Sequence, residues 1–184
     1  MSNELHFEKS FWGKCCNTFQ EDEKHYTYGH LMELKRKYYS FVLPNKSVMD
    51  IGGGPTSMLL KCHGLTRGLV VDPIDYPSWT VERYNSMNID VRVDFGENVT
   101  DTGFDEVWIY NCLQHTEDPE KIIHNARRAA PVLRFFEWID IPAHEGHPHE
   151  LKEDILNKWT GGKGGTCFLN ENSCYGRCYY GVFS

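Results

Sequence analysis

The feature that most restricts this chain is a series of short apolar runs, each closing on a polar residue. Val48-Met49-Asp50, Leu69-Val70-Val71-Asp72, Val91-Arg92-Val93-Asp94 and Val107-Trp108-Ile109-Tyr110-Asn111 follow one another along the sequence. Runs of this length read as buried strands, here over 47–51, 68–71, 89–93 and 106–110, with a fifth over 132–141. Helical spacing fills the gaps. Tyr28, Leu31, Leu34, Tyr38 and Val42 predict a helix over 22–42 that stops at Pro44. Pro55 suits a helix start, with Met58, Leu59 and Cys62 on its apolar side and Gly64 as its end. Asp118-Pro119 caps a helix carrying Ile122, Ile123 and Ala126. Residues 151–159 predict another helix, and 166–169 with 178–183 a closing antiparallel pair. Strands alternating with helices imply a parallel sheet covered on both faces, whose ligand sits outside the strand carboxyl ends.

At 184 residues the chain suffices for one α/β domain, with 1–45 expected as an N-terminal helical cap and 46–184 as the core. No stretch of about 18 apolar residues suggests a membrane span. The opening MSNELHFEKS lacks the apolar core of a secretory signal, and seven cysteines form no even framework. The expectation is a reduced, cytoplasmic protein. A net charge of −7 disfavours non-specific binding to nucleic acid. Lys35-Arg36-Lys37 reads as a solvated helix face.

The turn Gly52-Gly53-Gly54-Pro55-Thr56-Ser57 follows the first strand. A dinucleotide needs G-x-G-x-x-G/A with its pyrophosphate on a helix start. Here the third small position is serine, a proline intrudes, and Asp50 would repel phosphate. A cation suits Asp50 better, such as the amino group and sulfonium of S-adenosylmethionine. Asp72 lies 22 residues beyond Asp50, near the ~20-residue offset at which an acid bonds ribose hydroxyls. Ribose and a cation without phosphate favour S-adenosylmethionine over a nicotinamide cofactor.

The ordered set Asp50-Ile-Gly-Gly-Gly, Val70-Val71-Asp72, Asp94, 104–115 (FDEVWIYNCLQH) and Asp118-Pro119-Glu120 resembles the class I S-adenosylmethionine-dependent methyltransferases over about residues 46–160. The resemblance implies a Rossmann-like, seven-stranded, mostly parallel sheet with an antiparallel last strand. It also implies roles. Asp50 and the backbone of Gly52, Gly53 and Gly54 face the methionine moiety, and Asp72 binds ribose. Pro73 and Ile74 wall the adenine, Asp94 and Phe95 hold it, and Asn111 and Leu113 close the methionine side. Each acid read alone is equally a helix cap or a surface carboxylate. The chain departs from the family in lacking the usual third-glycine or acidic helix start, where Ser57 stands, and a separate substrate domain.

The expected chemistry is methyl transfer to a small hydroxyl, carboxyl or amine acceptor. His115, after the fourth strand, and His149, in the segment after the fifth, are candidate general bases, since histidine titrates near neutrality. Their bland alternative is packing or a helix start. His144 and His147, with Trp12 and Tyr28, are candidate acceptor contacts; Phe11, Trp12, Phe19, Tyr26 and Tyr28 equally suit hydrophobic cover. His144, His147 and His149 with Cys174 and Cys178 lack a metal-ligand spacing, so no metal is expected. Cys112 lacks a preceding proline and reads as a buried thiol, and no Asp/Asn-Pro-Pro-aromatic tetrapeptide follows the fourth strand. Both absences weaken a nucleic-acid base as acceptor. Two alternatives remain: an NAD-dependent oxidoreductase, or a catalytically inactive S-adenosylmethionine-binding module.

Overall fold

The computed structural model describes residues 6, 9, 10, 12 and 19–184. One eight-stranded mixed sheet organises them, in the order β4-β3-β2-β5-β6-β8-β7. The strands are β2 (Ser40–Ile51), β3 (Cys62–Asp72), β4 (Ile89–Val93), β5 (Glu106–Tyr110), β6 (Val132–Trp138), β7 (Gly165–Glu171) and β8 (Cys174–Phe183), with β1 (Arg36–Lys37) paired to the start of β2. β2 to β6 are mutually parallel, β8 runs antiparallel to β6, and β7 antiparallel to β8. The seven expected strands and their directions are present, and β1 adds a short eighth. Chain order reverses between β2 and β5, so a crevice opens at their carboxyl ends.

Alternation along the strands sends side chains to two cores. Met49, Ile51, Val71, Val107, Ile109 and Phe135 pack under α3 (Pro119–Ala129) and α4 (Glu153–Thr160). Val48, Val70, Trp108, Phe136 and Trp138 pack under α1 (Phe19–Leu31), whose Tyr28 ring lies 4.1 Å from that of Phe136. Burial of such an aromatic contributes about 1.5–3 kcal/mol. α3 begins as read: Asp118 accepts the Lys121 N–H at 3.0 Å, Pro119 follows, and Ile122, Ile123 and Ala126 are buried. α2 (Ser78–Ser86) supports β4. None of the described helices is long and apolar enough to cross a membrane.

Two helices differ from expectation. The helix over 22–42 ends at Leu31, Glu33 turns with φ +57°, and residues 36–43 enter the sheet. Phe41 and Leu43 alternate inward as strand residues. Phe41 packs so closely on α1 that a Cβ at Gly29 would collide with its ring. Pro44 lies inside β2, at a register shift against β3, where a proline is tolerated. Thus the expected cap segment already contains the start of β2.

The helix expected from Pro55 is absent; only a 3₁₀ turn over Met58–Lys61 forms. The register explains this. Ile51 pairs with Val71 and Phe41 with Cys62, so residues 52–61 must return along the length of β2. That span is roughly 30 Å at ~3.3 Å per residue. Ten helical residues cover only about 15 Å. The crossover therefore uses turns and one 3₁₀ turn, whose rise per residue exceeds that of an α-helix.

Candidate active site

The glycine turn lies over the end of β2 and is held from below. Asp50 is fully buried (0% exposed), and its carboxylate accepts the Ser57 hydroxyl and, at 2.6 Å, the Tyr110 phenol. Gly53 sits so close that a Cβ would come within 2.6 Å of the Asp50 carboxylate, and Gly52 needs φ +77°. With no helix to order them, the N–H groups of the turn find other partners. Gly54 N donates to Asp72 Oδ2 (3.0 Å), Ser57 N to the Tyr84 hydroxyl (2.7 Å), Met58 N to the Tyr110 hydroxyl (2.9 Å) and Leu59 N to Ser57 Oγ (3.0 Å). Tyr84 in turn donates to the Gly54 carbonyl at 2.8 Å. Burial pushes the Asp50 carboxyl up to about 7, against the pull of Ser57 and Tyr110.

A cavity of about 550 Å³ opens above this turn at the strand carboxyl ends, a size suited to a cofactor and a small partner. It brings together Gly52, Gly53, Gly54, Asp72, Pro73, Ile74, Phe95, Asn111, His115, His144, His147 and Trp12. Asp72 closes β3 and also accepts the Ile74 N–H at 3.0 Å. Trp12 packs on Ile74 and Tyr76. Asn111 bends the chain out of β5 with φ +52°.

Five residues singled out in the sequence stand outside the cavity wall. Asp50 acts from behind the turn. Asp94 accepts the Phe95 N–H and the Asn98 amide, both at 2.8 Å, so it shapes the next turn while Phe95 forms the wall. Leu113 is buried in the α3 core. Tyr28 is buried in the α1 core rather than facing a ligand. His149 Nε2 is held by the Thr116 carbonyl at 2.8 Å and ties its loop to β5's exit. Phe11 and the side chain of Phe19 lie outside the described residues.

His115, His144 and His147 form a cluster. The His147 ring lies 4.4 Å from each of the others, and burial with both neighbours pulls it down to about 4. His144 and His147 exchange backbone hydrogen bonds at 2.9 Å. His115 Nδ1 contacts the Gly146 carbonyl at 2.6 Å. That carbonyl only accepts, so Nδ1 carries the proton and Nε2 is the basic nitrogen. Among the described residues no three His, Cys, Asp or Glu side chains converge as metal ligands.

Several site residues escaped the sequence reading. Glu137 interrupts the apolar run of β6, and that interruption was its signal. It is fully buried (0% exposed), accepts the N–H groups of Cys112 (2.8 Å) and Leu113 (2.9 Å), and is pushed up to about 7 by burial. Cys112 donates to the Ile51 carbonyl at 3.3 Å, and burial with Glu137 raises its thiol, as befits a packing residue. α1 adds the Glu21–Lys24 pair (2.7 Å) and His25, which burial and then Lys61 pull down to about 3. Ser173 and Tyr175 complete the wall from the β7–β8 turn. Nothing local marked those five, because their place depends on how distant elements pack.

No family model and no curated protein matches the sequence. Solved structures do. The N-methyltransferase NodS from Bradyrhizobium japonicum WM9, in complex with S-adenosyl-L-homocysteine, matches with a TM-score of 0.67 at 15% identity, over 99% of this chain and 98% of that one. Magnesium protoporphyrin IX methyltransferase (ChlM) from Synechocystis PCC 6803, with bound SAM, matches at 0.60 and 14%, over 100% and 98%. A SAM-dependent methyltransferase from Aquifex aeolicus matches at 0.61 and 15%, over 98% of each chain. At these identities the likeness is one of fold: the chain has the Rossmann-like fold of the class I methyltransferases.

Proposed function

We propose that this chain transfers the methyl group of S-adenosylmethionine to a small-molecule acceptor bearing a hydroxyl, carboxyl or amine. One observation carries the reading. A pyrophosphate needs unoccupied N–H groups at a helix start. At this turn no α-helix starts, and the N–H groups of Gly54, Ser57, Met58 and Leu59 already have acceptors. Asp72 adds a carboxylate to the wall. A cationic ligand without phosphate fits; a nicotinamide dinucleotide does not. NodS and ChlM, solved on this fold with S-adenosyl-L-homocysteine and SAM, support the same ligand here.

In this reading the backbone of Gly52, Gly53 and Gly54, with Asn111, holds the methionine end. Asp72 holds the ribose; Pro73, Ile74 and Phe95 wall the adenine. Asp50, Asp94 and Leu113 position those groups from behind. The cofactor supplies a methyl already activated by a sulfonium, so the chain's work is positioning and, for a hydroxyl, proton removal. His115 Nε2 is the base we assign, beside a His147 that burial keeps neutral. His144 and His147 bound the acceptor end, while Trp12, packed on Ile74 and Tyr76, lies on the cofactor side.

Calorimetry with S-adenosylmethionine, S-adenosyl-L-homocysteine and NAD tests the cofactor. Binding of the first two and not of NAD is expected; the reverse pattern overturns the reading. An acceptor screen that follows release of S-adenosyl-L-homocysteine then separates an enzyme from an inactive binding module.

A further inference from the structure

We propose that Cys167 and Cys178 are an oxidative modification site, two thiols that close reversibly into a cross-strand disulfide when the protein meets hydrogen peroxide. This goes beyond methyl transfer and does not depend on it. The two residues stand directly opposite each other in the β7–β8 ladder, with their sulfurs 3.4 Å apart. Directly opposed residues of an antiparallel pair have Cα atoms about 4.5–5.5 Å apart. A disulfide accepts about 4.4–6.8 Å, so side-chain rotation closes the bond and the backbone stays in register. Among the described residues this is the one pair of thiols in contact. Cys174, on the same hairpin, faces Glu171 across the ladder, and Cys62 and Cys112 donate to main-chain carbonyls.

The two thiols differ in the way a stepwise closure needs. Cys167 is half-buried on the edge strand, at the margin of the α1-side core, and is open to a small oxidant. Cys178 is fully buried, and burial together with Cys167 pushes its thiol up to about 12. Cys167 therefore reacts first. Its thiolate attacks the peroxide O–O bond, which breaks; hydroxide leaves and takes the thiol proton as water, and Cys167 becomes a sulfenic acid. The Cys178 sulfur then attacks the Cys167 sulfur. The S–O bond breaks, and the Cys178 proton departs with the hydroxyl as a second water. Two thiols lose two electrons and one peroxide becomes two waters. Thiol exchange with glutathione reverses the bond. The bond would tie together the hairpin whose turn carries Ser173 and Tyr175 to the cavity wall, and whose Ser173 hydroxyl donates to Glu23 of α1 at 2.9 Å.

Peptide mapping tests this on the full chain. Reduced protein is treated with a small excess of hydrogen peroxide, free thiols are blocked with N-ethylmaleimide, and trypsin is added without reductant. Cleavage after Lys163 and Arg177 places Cys167 in peptide 164–177 and Cys178 in peptide 178–184. The expected result is a linked pair of these peptides that dithiothreitol separates. Cys174 shares the first peptide, so the link must vanish in Cys167→Ser and persist in Cys174→Ser. Fragmentation of the wild-type pair assigns the sulfur if either variant fails to fold. Cys167 should also lose its reactivity at least about tenfold faster than buried Cys174. A link that survives in Cys167→Ser, or peroxide-treated protein holding only singly modified Cys167, overturns the proposal.

Discussion

The phenol of Tyr110, at the end of β5, donates to the buried carboxylate of Asp50, at the end of β2, at 2.6 Å, and accepts the Met58 N–H at 2.9 Å. One hydroxyl thus joins the two strands at the point of reversal and fixes the turn lying over them. It supplies the order that a crossover helix would have provided.

Tyr110→Phe leaves Met58 N–H and part of Asp50 without partners inside the protein. Stranding such groups costs about 1–3 kcal/mol each. Chemical denaturation should register a loss of that order, and calorimetry a loss of S-adenosylmethionine affinity of about tenfold. A variant as stable as the parent that binds equally well would remove Tyr110 from this role.

Asp72→Ala should weaken S-adenosylmethionine by at least about tenfold, because hydrogen bonds to a charged group are worth ~1.5–3 kcal/mol. Part of that loss comes through Gly54, whose N–H loses its acceptor. Calorimetric affinity that does not change would end the ribose assignment.

The two candidate bases now separate. His115 lines the cavity, whereas His149 is held by Thr116 outside it. His115→Ala should cut turnover on a hydroxyl acceptor roughly a hundredfold with cofactor affinity nearly constant. His149→Ala should lower thermal stability, with turnover falling only in proportion to folded protein. Equal turnover in the two variants would end the assignment of His115.

Buried groups of two kinds set the pH dependence of stability. Asp50 and Glu137, each pushed up to about 7, hold protons in the native state that the unfolded chain has released above about 4. Their contribution is complete at low pH and is lost as pH rises towards and through 7. His25 and His147, pulled down to about 3 and about 4, act oppositely: their contribution is complete above about 6.5 and is lost as pH falls through those values. The two pairs oppose each other between about pH 4.5 and 6.5. Above that only the acids remain, so stability should decline towards pH 8. Glu137→Gln keeps an acceptor for Cys112 and Leu113 but cannot ionise. Relative to the parent it should gain about 1–3 kcal/mol between pH 5 and pH 8. Denaturation curves at the two pH values check this, and a constant difference would show that Glu137 ionises without cost.

Much of this protein was determined locally. Asp118 and Pro119 start α3 wherever the chain goes, and β-rich apolar runs became β2 to β6 with Asp72 and Asn111 at or just beyond their carboxyl ends. The glycines and Asp72 reached the cavity because a strand end needs only its own few residues to be recognised. What the tertiary structure decided depended on distances between remote parts. No local pattern says that residues 52–61 must return along the full length of β2, so the Pro55 helix looked sound and did not form. The same holds for Tyr110 and Tyr84, which satisfy a turn dozens of residues away. It holds also for Glu137 and His25, whose burial follows from neighbours on other strands and on α1. His115 and His149 look alike in sequence; which of them faces the cavity is set by the carbonyls of Gly146 and Thr116, and so by how two loops pack. Short-range preference chooses an element's type, whereas sheet register and loop packing choose what each side chain meets.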